Sequence, residues 1–210
     1  MRSLCLMLLS LAVPAGAVTV YSVTGPLGGG YASDATQELH SAWSQTGSYS
    51  NVSISALLGG MTGVASAYLT TTIGPGTTAG DVVASTMVGW PAVSPDYAFV
   101  QIFSGLNLGP GDYYLIIGGT GQGDWGKASA PTVVTDTGVT ALGQGYCSSC
   151  ATAFVPANSY TSFALGVQLV VEGEAVPEPG TFWLLLAGLL LFGRRSLHAA
   201  NSVVSDGGKR

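Results

Sequence analysis

The chain has 210 residues, 31 of them glycine, with only 8% charged side chains, and its 11 acids against six Lys and Arg leave a formal charge of −5. Within residues 18–176 nine acids face a single cation, Lys127, which excludes a nucleic-acid partner, since phosphate binding needs clustered Lys and Arg. The same balance opposes docking on an anionic membrane surface.

The N-terminus has the layout of a cleaved secretory signal: Arg2 as the positive region, residues 4–13 as the apolar run, and Ala15-Gly16-Ala17 as the small-residue cleavage site. The mature chain is expected to begin near Val18. Cys5 falls inside the apolar run and is discarded with it.

Residues 18–174 are the size of one domain with a buried core. Gly, Ser and Thr abound, and period-2 alternation recurs between turn signals, so strands are expected. Short ones fall at residues 19–23 and 51–56, and longer ones at 65–73, closed by Gly74-Pro75-Gly76, and at 97–103. Residues 106–117 read as a hairpin about Pro110-Gly111, a pair suited to the centre of a type II turn. The clearest strand is 161–171, with Phe163, Leu165, Val167 and Leu169 on one face and Gln168 on the other. It is expected to be central. The pattern predicts an all-β domain, an antiparallel β-sandwich of jelly-roll or immunoglobulin-like type.

Chemistry-bearing residues are few. Asp34, Glu38 and His40 are expected to be solvated polar groups on an early loop or edge strand. A Ser-His-Asp triad would have to rest on His40, and no nucleophile elbow accompanies it. Cys147 and Cys150 in an exported chain are expected to close a small disulfide loop. No cofactor is expected, and zinc least of all, because two cysteines and one exported histidine cannot complete a closed tetrahedral site. Trp43, Trp90, Trp125, Tyr113, Tyr114 and Tyr146 could supply a sugar-stacking face. Most are expected to lie in the core; Trp125, in a glycine-rich stretch, is the candidate for an exposed ring that could contact a ligand. Asp112, Asp124 and Asp136 are oxygen donors of the kind calcium takes, without an EF-hand pattern.

The C-terminal end is the most specific part. Pro177-Glu178-Pro179 must be extended; the apolar run 181–192 follows, then Arg194-Arg195 as a basic stop. From Gly180 to Gly193 a helix would reach roughly 21 Å, short against a hydrocarbon core of roughly 30 Å. Arginine snorkelling would extend it, and basic residues beyond it stay inside. The order of motif, short transmembrane helix and basic cluster resembles the PEP-CTERM sorting signal of bacterial envelope proteins. The runs Tyr68-Leu69-Thr70-Thr71-Thr72-Ile73-Gly74-Pro75-Gly76 and Leu106-Asn107-Leu108-Gly109-Pro110-Gly111-Asp112-Tyr113-Tyr114-Leu115 are similar to those of other exported proteins with this tail. Residues 196–210 depart from the pattern, in which the chain ends soon after the basic cluster; they are expected to be a disordered cytoplasmic tail.

The resemblance implies an exosortase as processing partner and a membrane-anchored precursor later placed at the cell surface or matrix. It also implies exopolysaccharide as the natural surrounding. The role expected is structural or adhesive and not enzymatic. The alternatives from other classes are a carbohydrate-binding module using Trp125 and a secreted hydrolase.

Overall fold

In the computed structural model the described residues are 16–34, 36–89, 97–118, 122–148, 150 and 154–177. Alternating side chains and abundant Val, Thr and Tyr, which suit a half-buried pleated surface, give the strands β1 (Val18–Thr24), β2 (Leu27–Ser33), β3 (Gln37–Gln45), β4 (Ser48–Thr62), β5 (Val64–Thr70), β6 (Val82–Gly89), β7 (Ala98–Leu108), β8 (Gly111–Gly118), β9 (Gln122–Ala128), β10 (Thr132–Thr135), β11 (Val139–Ser148), β12 (Thr161–Ser162) and β13 (Leu169–Val176). Among the described residues the helical segments are two single 3-10 turns, Ala79–Asp81 and Val155–Ala157. None is long and apolar enough to cross a membrane.

The strands form two antiparallel sheets, consistent with a β-sandwich. One runs β10-β1-β13-β4-β9-β2, with β7 on β4 as a branch; the other runs β12-β11-β3-β8-β5-β6. Pairing is nested along the chain, β1 with β13, β3 with β11, β4 with β9 and β5 with β8. The core lies between the sheets, where Val20, Val52, Ile54 and Leu58 of the first meet Leu39, Leu69, Leu115 and Ile117 of the second. A three-ring stack crosses it. Tyr21 of β1 lies 5.6 Å from Trp43 of β3, which lies 5.6 Å from Tyr113 of β8. Residues Val176–Arg210 form a separate unit, of which Val176 and Pro177 are described. The apolar run 181–192 expected to span the membrane lies outside the described residues.

Three expectations are corrected. The Pro110-Gly111 turn makes no hairpin, because β7 pairs with β4 while β8 pairs with β3 and β5. The turn carries the chain from one sheet to the other, and Tyr113 Oη (2.8 Å) and Gln45 Nε2 (2.9 Å) both donate to the Gly109 carbonyl to hold it there. The strand expected at 51–56 is the 15-residue β4. Its register against β7 shifts near Asn51, which takes the left-handed φ of 51° that bulges tolerate.

The run 161–171 is interrupted as well. β12 ends at Ser162, and the Leu165 N–H turns back to the Phe163 carbonyl (2.9 Å). Gly166 adopts φ 67°, and the chain enters the other sheet at β13. Leu165, Val167, Leu169 and Val171 are buried as expected, but Phe163 is 56% exposed and Gln168 only 3%. Beyond the break the strand is central, lying between β1 and β4.

Leu165→Ala should therefore cost about 2–5 kcal/mol, the range for emptying a packed core position, whereas Phe163→Ala should stay within about 1 kcal/mol. Denaturant melts of the two variants check this, and equal losses would contradict the break at 163–168.

Candidate functional site

On β3 the odd residues Leu39, Ser41 and Trp43 face the core, so Glu38 and His40 point to the outer face of the second sheet. Neither is solvated. Glu38 is 4% and His40 7% exposed, because β3 is an inner strand and the segment 154–160 folds over this face as a strap. Asn158 Nδ2 donates to Glu38 Oε2 at 2.6 Å. The Tyr160 hydroxyl lies 3.0 Å from that same oxygen and 3.0 Å from the Val155 carbonyl. The Tyr160 ring stands edge-on to His40 with centroids 5.2 Å apart, and Phe154 packs edge-on against Tyr68 of β5. The Gly74 N–H ties the strap's middle down through the Pro156 carbonyl at 2.9 Å. Gly145 leaves room for the imidazole, since a Cβ there would collide with the ring and with the Thr161 carbonyl.

Cys147 of β11 pairs in register with Glu38 and is joined to Cys150 in a disulfide with Cα atoms 5.9 Å apart. This staples the chain at Cys150, four residues ahead of the strap in sequence, to the sheet. Among the described residues, Glu38, Cys147 and Cys150 are the group whose potential ligand atoms lie within 4.8 Å of one another. Disulfide sulfurs are not thiolates, the form that holds a metal. Asp34, grouped with Glu38 and His40 by sequence, is separate. Its Oδ1 accepts from the Thr36 N–H (2.7 Å), Thr36 Oγ1 (2.8 Å) and the Gln37 N–H (2.9 Å), and these bonds, those from Thr36 foremost, hold its carboxyl pKa below the usual carboxylate range.

Burial controls the titration of the cluster. It lowers the His40 imidazole from 6.5 to about 4, keeping the ring neutral, and Nδ1 has no hydrogen-bond partner among the described residues. Burial raises Glu38, opposed by its bonds from Asn158 and Tyr160, and raises Tyr160, with the adjoining Glu38 carboxylate adding to the effect.

The aromatic and aspartate expectations fare differently. Trp125 is 0% exposed; its Nε1 donates to the Gln168 carbonyl at 2.8 Å, so it presents no face to a ligand. The glycines around it reflect close packing, since a Cβ at Gly126 would press on Leu57 and Tyr97. Trp43 and Tyr113 are core residues, Tyr114 and Tyr146 are half-buried, and Trp90 lies outside the described residues. The exposed aromatics among the described residues are Phe99 and Phe163, and Phe163 stands edge-on to Tyr146 in an open apolar groove of about 460 Å³ that Tyr21, Val133 and Gly166 also line. Asp124 accepts from Tyr97 Oη (3.0 Å) and Asp136 from Tyr49 Oη (3.0 Å). Burial, then the aspartate, pushes each of these phenols up to about 12. Asp112 is exposed at the start of β8, and the three aspartates are not brought together.

The strap makes stability pH-dependent with a definite sign. His40, lowered on folding, contributes stability that is full above pH 6.5 and lost as pH falls toward 4, about 3 kcal/mol at most. Glu38, raised on folding, works oppositely and favours the fold at low pH. Thermal melts at pH 7 and pH 4.5 should show a smaller acid-induced loss for His40→Gln than for the parent, Glu38 being common to both. The disulfide closes a very short loop, so Cys150→Ser should fold with a loss of about 2 kcal/mol or less. Alkylation of unreduced protein should label neither Cys147 nor Cys150.

The second feature is the C-terminal segment. Val176 ends β13, and Pro177, exposed, follows at once. Ala17 is likewise exposed beside β1, while Ala15, Glu178, Pro179, Arg194 and Arg195 lie outside the described residues. Residues 175–197 match the PEP-CTERM protein-sorting motif. No curated protein and no solved structure matches the chain. That motif is the recognition signal for exosortase processing and marks an exported, sorted protein. Residues 175–197 thus carry a PEP-CTERM protein-sorting motif, a recognition signal for exosortase processing that begins where the last strand of a β-rich domain ends.

Proposed function

We propose that this protein is a non-enzymatic envelope component, exported through residues 1–17 and held as a single-pass precursor by residues 181–192. An exosortase then releases it to the cell surface or extracellular matrix. The observation that carries this reading is the sorting match at 175–197 beginning where β13 ends, so that the protease substrate emerges from the last strand without a linker. The expected role is structural or adhesive. Scarce charge and a net-acidic domain favour persistence in a hydrated, polyanionic matrix over tight electrostatic capture of it. The nested pairing of β1, β3, β4 and β5 with β13, β11, β9 and β8 supports a jelly-roll kinship over an immunoglobulin-like one. Carbohydrate binding through Trp125 is not retained, since that ring is buried.

In a host with an exosortase, surface-fraction protein should lack the residues beyond the Pro177-Glu178-Pro179 motif, and Glu178→Ala should accumulate as unprocessed membrane-bound chain. Mass spectrometry of both decides it. Intact Arg210 termini in the surface fraction would overturn the proposal.

A further inference from the structure

Free sheet edges present unpaired N–H and C=O groups, and proteins blunt them with short strands, Pro, charge or bulges. Among the described residues, four of the five edges are strongly blunted. β12 has two residues, and β10 has four, preceded by Pro131. β2 carries Gly28-Gly29-Gly30 and a register break, with Lys127 Nζ 4.4 Å over its Tyr31 ring. β7 meets β4 through three register shifts.

Among the described residues β6 ends the second sheet, and the only such device on it is a single register shift at its start, where Val82 and Ala84 face Thr70 and Leu69. Its eight residues, Val82 to Gly89, include no Pro and no charged side chain. Against β5 its register is unbroken from Ala84 to Gly89. Val83 and Met87 stand 41% and 68% exposed, on the same side of the strand as exposed Ser85.

We propose that β6 pairs antiparallel with β6 of a second copy about a twofold axis at Ser85, joining the two six-stranded sheets into one. The strand is self-complementary in that register. Val83 of each copy lies opposite Met87 of the other, so the largest exposed apolar side chains on the strand cover each other, and Ala84 lies opposite Thr86. The flanking Asp81 falls beside Gly89 and not beside another acid. Two copies of a domain with nine acids and one lysine repel along most surfaces; the uncharged β6 is a border where they meet without opposed like charges. Directly opposed residues of antiparallel strands hold their Cβ atoms about 4.5–5.5 Å apart, near enough for an engineered disulfide.

The test uses the full chain, solubilised in detergent. Ser85→Cys should oxidise to a covalent dimer, with Ser104→Cys on exposed β7 and the parent chain setting the background. A mixture of Val83→Cys with Met87→Cys chains should cross-link as the heterodimer in preference to either homodimer. Met87→Lys, at a position open enough to leave the fold intact, should weaken dimerisation at least about tenfold in sedimentation while keeping the parent's circular dichroism. Cross-linking at 85 no greater than at 104, homodimers favoured in the 83/87 mixture, or a Met87→Lys chain as dimeric as the parent would overturn the proposal.

Discussion

One carbonyl group holds the first sheet together. The Gln168 oxygen accepts from the Leu57 N–H of β4 (3.0 Å) and from the Trp125 indole of β9 (2.8 Å), while the Gln168 N–H donates to Gly126 (2.8 Å). Its side chain accepts from the Gly25 N–H between β1 and β2 at 3.1 Å. Three stretches of chain therefore converge on a residue that belongs to no regular strand. The position is costly, since Gln168 Nε2 is buried without a partner among the described residues, a penalty of about 1–3 kcal/mol. It persists because the break at 163–168 lets the chain leave β12 in one sheet and enter β13 in the other. Without a fixed crossing point the two sheets would lose their mutual register.

That junction explains what could be read from the sequence. Alternation and turn chemistry are local, so the existence of β1, β5, β7 and β13 and the turn at Pro110-Gly111 were legible. Which strands pair is not local. Pro110-Gly111 has hairpin chemistry, yet β7 and β8 find partners in different sheets. Gln168 sits on the polar side of an alternating pattern, but at the crossing both of its sides are covered. Trp125 looked exposed because glycines surround it, whereas those glycines let Tyr97 and Leu57 close on its strand.

Glu38 and His40 illustrate the same limit. A polar outer face on an antiparallel strand is ordinarily wet. Here the strap, more than a hundred residues later in sequence, supplies the cover, and the Cys147–Cys150 staple was its one sequence-visible trace. The cover reaches as far as Phe154 on Tyr68 of β5. Past that point the outer face ends in Val83 and Met87, so one sheet carries both a sealed polar cluster and an open apolar border.

The placement of β13 bears on the order in which an exported chain can become a folded one. Strands β1 and β4, made early, flank a slot that only residues Leu169–Val176 fill. For a chain crossing the membrane N-terminus first, the slot stays empty until the final segment before the sorting motif emerges, and closing so non-local a contact is slow. A chain stalled upstream of Leu169 leaves two interior strand edges open to the periphery. Completion of the domain and presentation of the protease substrate thus coincide, and correct folding reports that the whole exported portion has arrived.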